Sequence, residues 1–580
     1  MTPLEEASFP QQLFYRWDPI FDTPRTVSAR HDEPYVNNMG DGETANPSID
    51  LIPFFMRAFD GDDSCNFATE TVANFCKGAN LSTIQRDKSA TTDLVALLND
   101  SGGMTARELY ETLTRLRCEQ NKHSQVVGGD DPTLSSTTRI DKTNAIIHRI
   151  YIENLDRWTI LALAASIPDH QASIVGEFIY NHLQFDPLIK ATTLRNGLPA
   201  FAFEVHLPYF AFRKRRPPRE DKRKDRHGKG LRQCHDITFM RMIDRNDGDS
   251  VNEYVYEAKI SYLVSGSSRY SWTAHLFNDL YFESNDDFGR VAAYHAERDM
   301  EPGLDPLSSG KMFLQDAPDE PREYFLFIYE IWMRRIKKEW RQLSVSVDEA
   351  IGTAKSEYWI RIGHGVSSRL NTDRQRAQSR EELQEWIRRS TELLRKFIVS
   401  LDQLIKEWNG FRDTGLNYFQ STIKPDHLAK LLDTITAIDR HVVDLGRFLR
   451  KFNDIMDCLS EDVLRAVNLR ISHESNESAL FQQKTARDVK ILTWITFLTL
   501  PLTLAASLLS TQEGFIPITP SPWAFVASLA IVETLVWLML GTLLGWDWLR
   551  DKLSWVRRHF GLRWKEGNEG IELRQLESLG

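Results

Sequence analysis

The chain is poor in cysteine. Its 580 residues hold five, at positions 65, 76, 118, 234 and 458, with no CxxC among them. An odd, scattered set excludes a disulfide framework or a zinc knuckle and reads as reduced thiols. Positive charge is not in excess either: 71 Lys and Arg stand against 81 Asp and Glu, a formal net charge of −10. Nothing global therefore points to nucleic acid as a partner. The opening MTPLEEASFP has neither a basic stretch nor an apolar core, and its early glutamates disfavour a mitochondrial transit peptide, so no targeting leader is expected. GxSxG, a P-loop, HExxH and a GxGxxG after a strand are all missing. No enzyme activity and no resident cofactor are expected. The acidic turns Asp60-Gly61-Asp62-Asp63 and Asp244–Asp249 do not match an EF-hand loop and read as solvated turns.

The most telling absence is local. Ile491 to Gln512 carries no charged side chain, and at ~1.5 Å per residue such a helix crosses a ~30 Å hydrocarbon core. A second apolar run extends from Trp523 to Leu549, interrupted by Glu533, with Trp523 at one end and Trp546 and Trp548 at the other, where interfacial tryptophans belong. The two runs read as a transmembrane hairpin. Lys484, Arg487 and Lys490 precede it; Arg550, Lys552, Arg557, Arg558, Arg563 and Lys565 follow; no Lys or Arg lies between. The positive-inside rule then puts both termini in the cytosol and the short loop outside. The expectation is an integral membrane protein with two spans, in the plasma membrane by preference.

Thr496, Thr499, Thr503, Ser507 and Ser510 are spaced 3, 4, 4 and 3 and so fall on one stripe of the first span. A bilayer penalises unsatisfied polar groups. The stripe suits a water-filled cation path, or a helix–helix contact with the hydroxyls bonded back to their own backbone; spacing alone leaves both open. Pro501 withholds a backbone donor inside the same helix. Glu533 is an intramembrane carboxylate with no Lys or Arg in either span to pair with, a functional candidate by default, or a protonated acid bonded to first-span hydroxyls.

Upstream, Leu428, Leu431, Ile435, Ile438, Val442, Leu445, Leu449, Phe452, Met456, Leu459, Val463 and Ala466 alternate steps of three and four, a coiled-coil-like seam on a helix starting at Pro425-Asp426. Leu394, Phe397, Leu401, Leu404 and Trp408 form a second seam after the capping box Ser379-Arg380-Glu381-Glu382, and the break at Asn409–Lys424 predicts antiparallel packing. A further helix is expected over Arg322–Leu343. Before these, Trp158–Ile167 reads as a core helix, Asn121–Asp141 as a loop, and Ala200 onward, Asp236–Met242, Val255–Val264 and Tyr270–Leu276 as strands. Arg213–Gly230, RKRRPPREDKRKDRHGKG, reads as a solvated basic loop; a nuclear signal or a polyanion patch is the alternative, with anionic lipid headgroups as the natural target.

The expected fold is an α+β (or α/β) cytosolic N-terminal domain, then long coiled-coil-like stalk helices and a two-helix transmembrane hairpin. The boundaries are a poorly ordered segment 1–48, the α/β domain 49–320, a helical stalk 321–490, spans at 491–512 and 522–549 around an outer loop 513–521, and a basic tail 550–580.

This ensemble resembles the CorA superfamily of divalent-cation transporters. Gln482–Thr503, QQKTARDVKILTWITFLTLPLT, is similar to the end of the CorA stalk and its first span, including Pro501-Leu502-Thr503. Segments such as RWTILALAASIPDHQAS and VSGSSRYSWTAHLFNDLYF resemble the N-terminal domains of CorA-like proteins of filamentous fungi. The resemblance implies a homo-oligomer, a pentamer, whose first spans line a central path for a divalent cation, Mg²⁺ foremost; that ion is cargo and a possible regulator. It implies Thr496, Thr499, Thr503, Ser507 and Ser510 as pore lining, and Thr511, Gln512 and Glu513 as the mouth. The family's Gly-Met-Asn signature is replaced by Ser510-Thr511-Gln512. A non-conducting scaffold, serving as a membrane-anchored interaction or sensing protein, is the alternative. Partners are the chain itself, lipid and divalent cations, with no nucleic acid.

Overall fold

Ala200–Lys214, AFAFEVHLPYFAFRK, is a long strand buried along nearly its whole length. Alternation would leave one face wet, yet Glu204 and His206 are as buried as the phenylalanines between them. Helices on both faces of one sheet produce this pattern. The computed structural model describes residues 16–24, 33–38, 51–60, 67–86, 93–99, 101–127, 146–195, 198–214, 218–225, 227–241, 252–283, 303–365, 373–420, 425–509, 521–523 and 525–538.

Contacts divide the chain into two units, Met1–Val463 and Leu464–Gly580. Within the first, the described strands are β1 (Ala96–Leu98), β2 (Ile146–Glu153), β3 (Leu188–Leu194), β4 (Ala200–Lys214), β5 (Cys234–Asp236), β6 (Glu253–Ser268) and β7 (Ser271–Asn278). They form one sheet in the order β1-β2-β7-β6-β4-β3, with β5 added to β6; β2 and β7 are parallel and the other pairs antiparallel. One face is covered by α1 (Leu51–Asp60), α2 (Phe67–Phe75), α3 (Leu81–Arg86), α4 (Ala106–Val127), α5 (Arg157–Ser166) and α6 (Asp169–Leu183), around a core that includes Phe55, Ile152, Leu161, Phe178, Leu263 and Phe277. The other carries α7 (Pro321–Gly365), α8 (Asp373–Thr414), α9 (Leu416–Gln420) and the start of α10 (Pro425–Leu509), around Phe203, Phe210, Tyr262, Trp332, Trp340 and Phe397.

The tight β6–β7 turn depends on Gly266. A Cβ there would collide with the Ser271 carbonyl oxygen and sit 2.6 Å from Trp272 Cβ, beside the register shift between Gly266 and Ser268. The free edge of β3 is guarded: Glu407 of α8 accepts a bond from the Ile189 backbone, and Thr193 Oγ1 lies 2.7 Å from the Tyr418 hydroxyl. Covering an edge this way blocks strand addition by another chain.

Several expectations need correcting. Of residues 1–48, expected to be poorly ordered, Trp17 and Phe21 are buried in the core, with Arg322 4.2 Å above the Trp17 ring. The strand expected at Asp236–Met242 is β5 followed by a 3-10 turn, Thr238–Arg241, whose Asp236 side chain accepts from Thr238 N. The helix expected at Arg322–Leu343 runs to Gly365, and the capping box at Ser379 lies inside α8, which begins at Asp373. The loop expected at Asn121–Asp141 is helical to Val127, and 128–141 lie outside the described residues, as do most of both acidic turns.

Candidate ion-path helix

In unit one the stalk is a three-helix arrangement, α7, α8 and the first part of α10. The expected seam is buried at Leu431, Ile435, Ile438, Val442, Leu445, Phe452 and Leu459, and the α8 seam at Leu394, Phe397, Leu401, Leu404 and Trp408. Phe397 packs on Phe452 with ring centroids 5.8 Å apart, and Trp408 Nε1 donates to Asp439 at 2.8 Å. Pairing 397 with 452 and 408 with 439 makes α8 and α10 antiparallel, as the break between their seams predicts. α7 runs parallel to α10: Glu323 meets His427, Glu330 meets His441, Lys337 meets Asp444 and Asp348 meets Lys451.

The polar stretch 472–478 does not interrupt α10, which continues as one helix through Pro501 to Leu509. In the second unit, Ile491, Leu492, Ile495, Leu500 and Leu504 are exposed, and so are Thr496, Thr499, Thr503 and Ser507. Every one of these hydroxyls donates to a carbonyl of its own helix: Thr496 to Leu492 at 2.9 Å, Thr499 to Ile495 at 3.0 Å, Thr503 to Leu500 at 2.9 Å and Ser507 to Leu504 at 2.9 Å. Thr493, at the stripe's edge, does the same with Val489. Each donor is satisfied within the helix, and the oxygen keeps lone pairs turned outward.

Residues 525–538 are helical, and Glu533 on them is exposed. The first-span hydroxyls bond to backbone rather than to Glu533. Ser510, Thr511, Gln512 and Glu513 lie outside the described residues, together with the rest of the expected outer loop and residues 539–580. Among the described residues, no helix is long and apolar enough to cross a membrane, and no cluster of His, Cys, Asp or Glu could hold a metal ion.

No family model and no curated protein matches the chain. Solved structures that resemble it include the full-length CmaX protein, at 12% identity over 77% of this chain and 97% of that one, with a TM-score of 0.27. Another is the CorA magnesium transporter from Methanocaldococcus jannaschii, at 9% identity over 68% and 89%, with a TM-score of 0.24. Scores this low leave both likenesses without weight on fold or function.

Sequence reasoning missed a buried polar network between α6 and the sheet. Lys259 donates to the carbonyls of Asn181 and Gln184, and Arg232 to those of His182 and Leu183. The orphan carbonyls at the C-terminus of α6, its negative dipole end, are thereby capped from the sheet side. Asp279 binds Arg232 and Arg223 at 2.7 Å each, and these charges hold its carboxyl well below the usual range against the upward push of burial. The loop expected to be solvated is anchored here: Arg223 pairs with Asp221 and Asp279, and Arg213 with Glu283 and Glu339. Lys222, Lys224, His227 and Lys229 remain exposed.

Ser261 sits between two imidazoles, 2.7 Å from Nδ1 of His182 and of His206. His206 Nε2 lies 2.6 Å from Glu204, which also takes a bond from Asn181 and pairs with Lys190. One arrangement of protons satisfies this chain. His206 donates from Nε2 to Glu204 and accepts the Ser261 proton at Nδ1, and His182 Nδ1 donates to Ser261, leaving its Nε2 bare. Among the described residues His182 Nε2 has no hydrogen-bond partner; it lies 3.6 Å from Asp279. Burial pushes both imidazoles down, His182 to about 3 and His206 to about 4, so both are neutral. A serine, a histidine and a carboxylate in line resemble a hydrolytic triad, but Ser261 is fully buried, so the group is structural.

Proposed function

We propose that the chain is a CorA-like integral membrane protein whose first span, as one of several in a homo-oligomer, lines a path for a hard divalent cation, Mg²⁺ foremost. One observation carries the reading. A single helix continues from the buried stalk seam into the charge-free stretch Ile491–Leu509, where both its apolar side chains and its hydroxyls are exposed. Exposed isoleucines and leucines in such density call for lipid or neighbouring subunits rather than water. Hydroxyls that satisfy their donors internally need no partner donor in a bilayer, and their outward oxygens are the hard ligands that a hydrated Mg²⁺ accepts. Thr496, Thr499, Thr503, Ser507 and Ser510 form the lining, Thr511 and Gln512 shape the mouth, and Glu513 draws cations toward it. The hairpin, the cytosolic termini, the pentamer and the plasma membrane belong to the same reading, which rests on the charge pattern and the family resemblance.

The experiment is ion flux into liposomes carrying the purified full chain. A gradient-driven Mg²⁺, Zn²⁺, Ni²⁺ or Co²⁺ flux above that of empty vesicles is expected; none under any gradient sinks the proposal. The departure at Ser510-Thr511-Gln512 supports a second reading, a non-conducting membrane-anchored scaffold. Changing those residues to Gly, Met and Asn would create flux in a silent parent under that reading, whereas a parent that already conducts ends it.

A further inference from the structure

Within Arg213–Gly230 the sequence sets ten Lys and Arg against three acids, in a chain whose net charge is −10. The fold sorts these cations by type. Arginines turn inward: Arg213 to Glu283 and Glu339, Arg219 to the Glu283 carbonyl, and Arg223 to Asp221 and Asp279. Lysines turn outward. Along 221–224 the side chains alternate, with Asp221 and Arg223 inside and Lys222 and Lys224 exposed. The chain then reverses. Lys224 bridges Gly230, Asp225 N donates to the Lys229 carbonyl, and the Asp225 carboxylate accepts from the N–H groups of His227 and Lys229 at 2.8 Å each. Gly228 makes the turn at φ +75° with open space around it. The reversal returns the exposed Lys229 to the neighbourhood of Lys224.

Lys214 pairs with Glu253 at 3.1 Å, but Lys222, Lys224 and Lys229 form no ion pair among the described residues. Three ammonium groups on one short hairpin lie within about one Debye length, ~10 Å at 0.1 M salt, and present one positive field to a ligand. We propose that this hairpin captures a soluble oligophosphate, a compact ligand carrying several negative charges. Two observations select that class. Arginine forks read carboxylates and phosphates bidentately, yet Arg213 and Arg223 are committed to internal carboxylates. What faces solvent is lysine, a point charge that answers to charge density rather than to shape. Docking onto a protein or a membrane, by contrast, takes large apolar anchors, and no large hydrophobic residue between positions 147 and 312 is exposed among the described residues. Anchoring Arg223 on Asp279 holds the hairpin in place before any ligand arrives, which lowers the ordering cost of capture. The hairpin lies within unit one, so the proposal stands whether or not the chain conducts.

Calorimetric titration of inorganic tripolyphosphate into the full chain in neutral detergent, without divalent cations, tests it. Saturable binding is expected at about 0.1 M salt, and binding at least roughly tenfold weaker at about 1 M, where the Debye length shrinks to ~3 Å. K222Q/K224Q/K229Q should weaken binding roughly tenfold or more at the lower salt. K222R/K224R/K229R should hold it within about twofold, and K214Q should leave it unchanged. The single variants K222Q, K224Q and K229Q, each expected to lower affinity about two- to fivefold, keep the test decisive if the triple variant fails to fold. No saturable binding, or an affinity that survives these substitutions, overturns the proposal. So does a loss in K214Q as large as in K224Q, or tighter capture by phosphatidylserine vesicles or polyglutamate at equal charge concentration.

Discussion

Asp279 lies at the end of β7 with no exposed surface and accepts from two arginines and the Lys259 backbone N–H. Breaking a buried charge network by neutralising one partner costs about 3–5 kcal/mol, because the remaining charges are stranded. Asp279→Asn should therefore lower the unfolding free energy of the full chain, taken from urea denaturation followed by near-ultraviolet circular dichroism, by that much; a change under about 1 kcal/mol would mean that Arg223 and Arg232 reach water. The two buried histidines add an acid sensitivity. Their ordinary value is 6.5 and their folded values are about 3 and about 4. Between those limits the unfolded chain binds protons that the folded chain refuses, so stability falls as pH drops below 6.5, by up to ~1.4 kcal/mol per unit for each histidine. Glu204, held near 2 against the upward push of burial by His206, Lys190 and Asn181, acts in the same direction: its contribution is full above 4.5 and is lost as pH falls toward 2. Chemical denaturation at about pH 7.5 and about pH 5 should differ by about 2–4 kcal/mol. Equal midpoints would show that the imidazoles are charged in the folded state.

At the scale of elements, helices with a sustained period were legible. The seam Leu394–Trp408 is buried as its spacing predicts, and so is most of Leu431–Leu459, with Leu449 and Met456 half-buried, because a heptad repeat admits one burying face. The long strands β4, β6 and β7 were legible from β-branched and aromatic residues, whereas β1, β2 and β3 were missed. Their residues alternate poorly or are few, and long-range pairing rather than local propensity makes them strands. The hydroxyl stripe on α10 offers its own prediction. Thr499→Val and Thr503→Val keep shape but remove the outward oxygen, and each should reduce liposome flux roughly three- to tenfold, for a lost contact of about 1 kcal/mol. Leu504→Ala, off the stripe, should leave flux unchanged; the reverse order would put the conducting face elsewhere.

For the whole molecule, local composition carried a great deal. The charge-free run at Ile491–Gln512, the flanking Lys and Arg, the hydroxyl spacing and the stalk periodicity are all written in neighbouring residues, since each reflects a period or a solvent preference. That information was enough to delimit a strand-and-helix region from a long stalk and to single out α10. The tertiary structure alone decided which charges are structural. Arg213, Arg223, Arg232, Asp221 and Asp279 look like solvent-facing residues in sequence, yet the fold turns them inward to cap the end of α6 and anchor the basic loop. It also decided that Glu204, His206 and Ser261 share one buried chain of hydrogen bonds and that His427 and His441 meet glutamates more than a hundred residues away. Those partners are distant in sequence. Burial, which turns a surface charge into a structural one, is set only once the sheet and its two helical layers close around it.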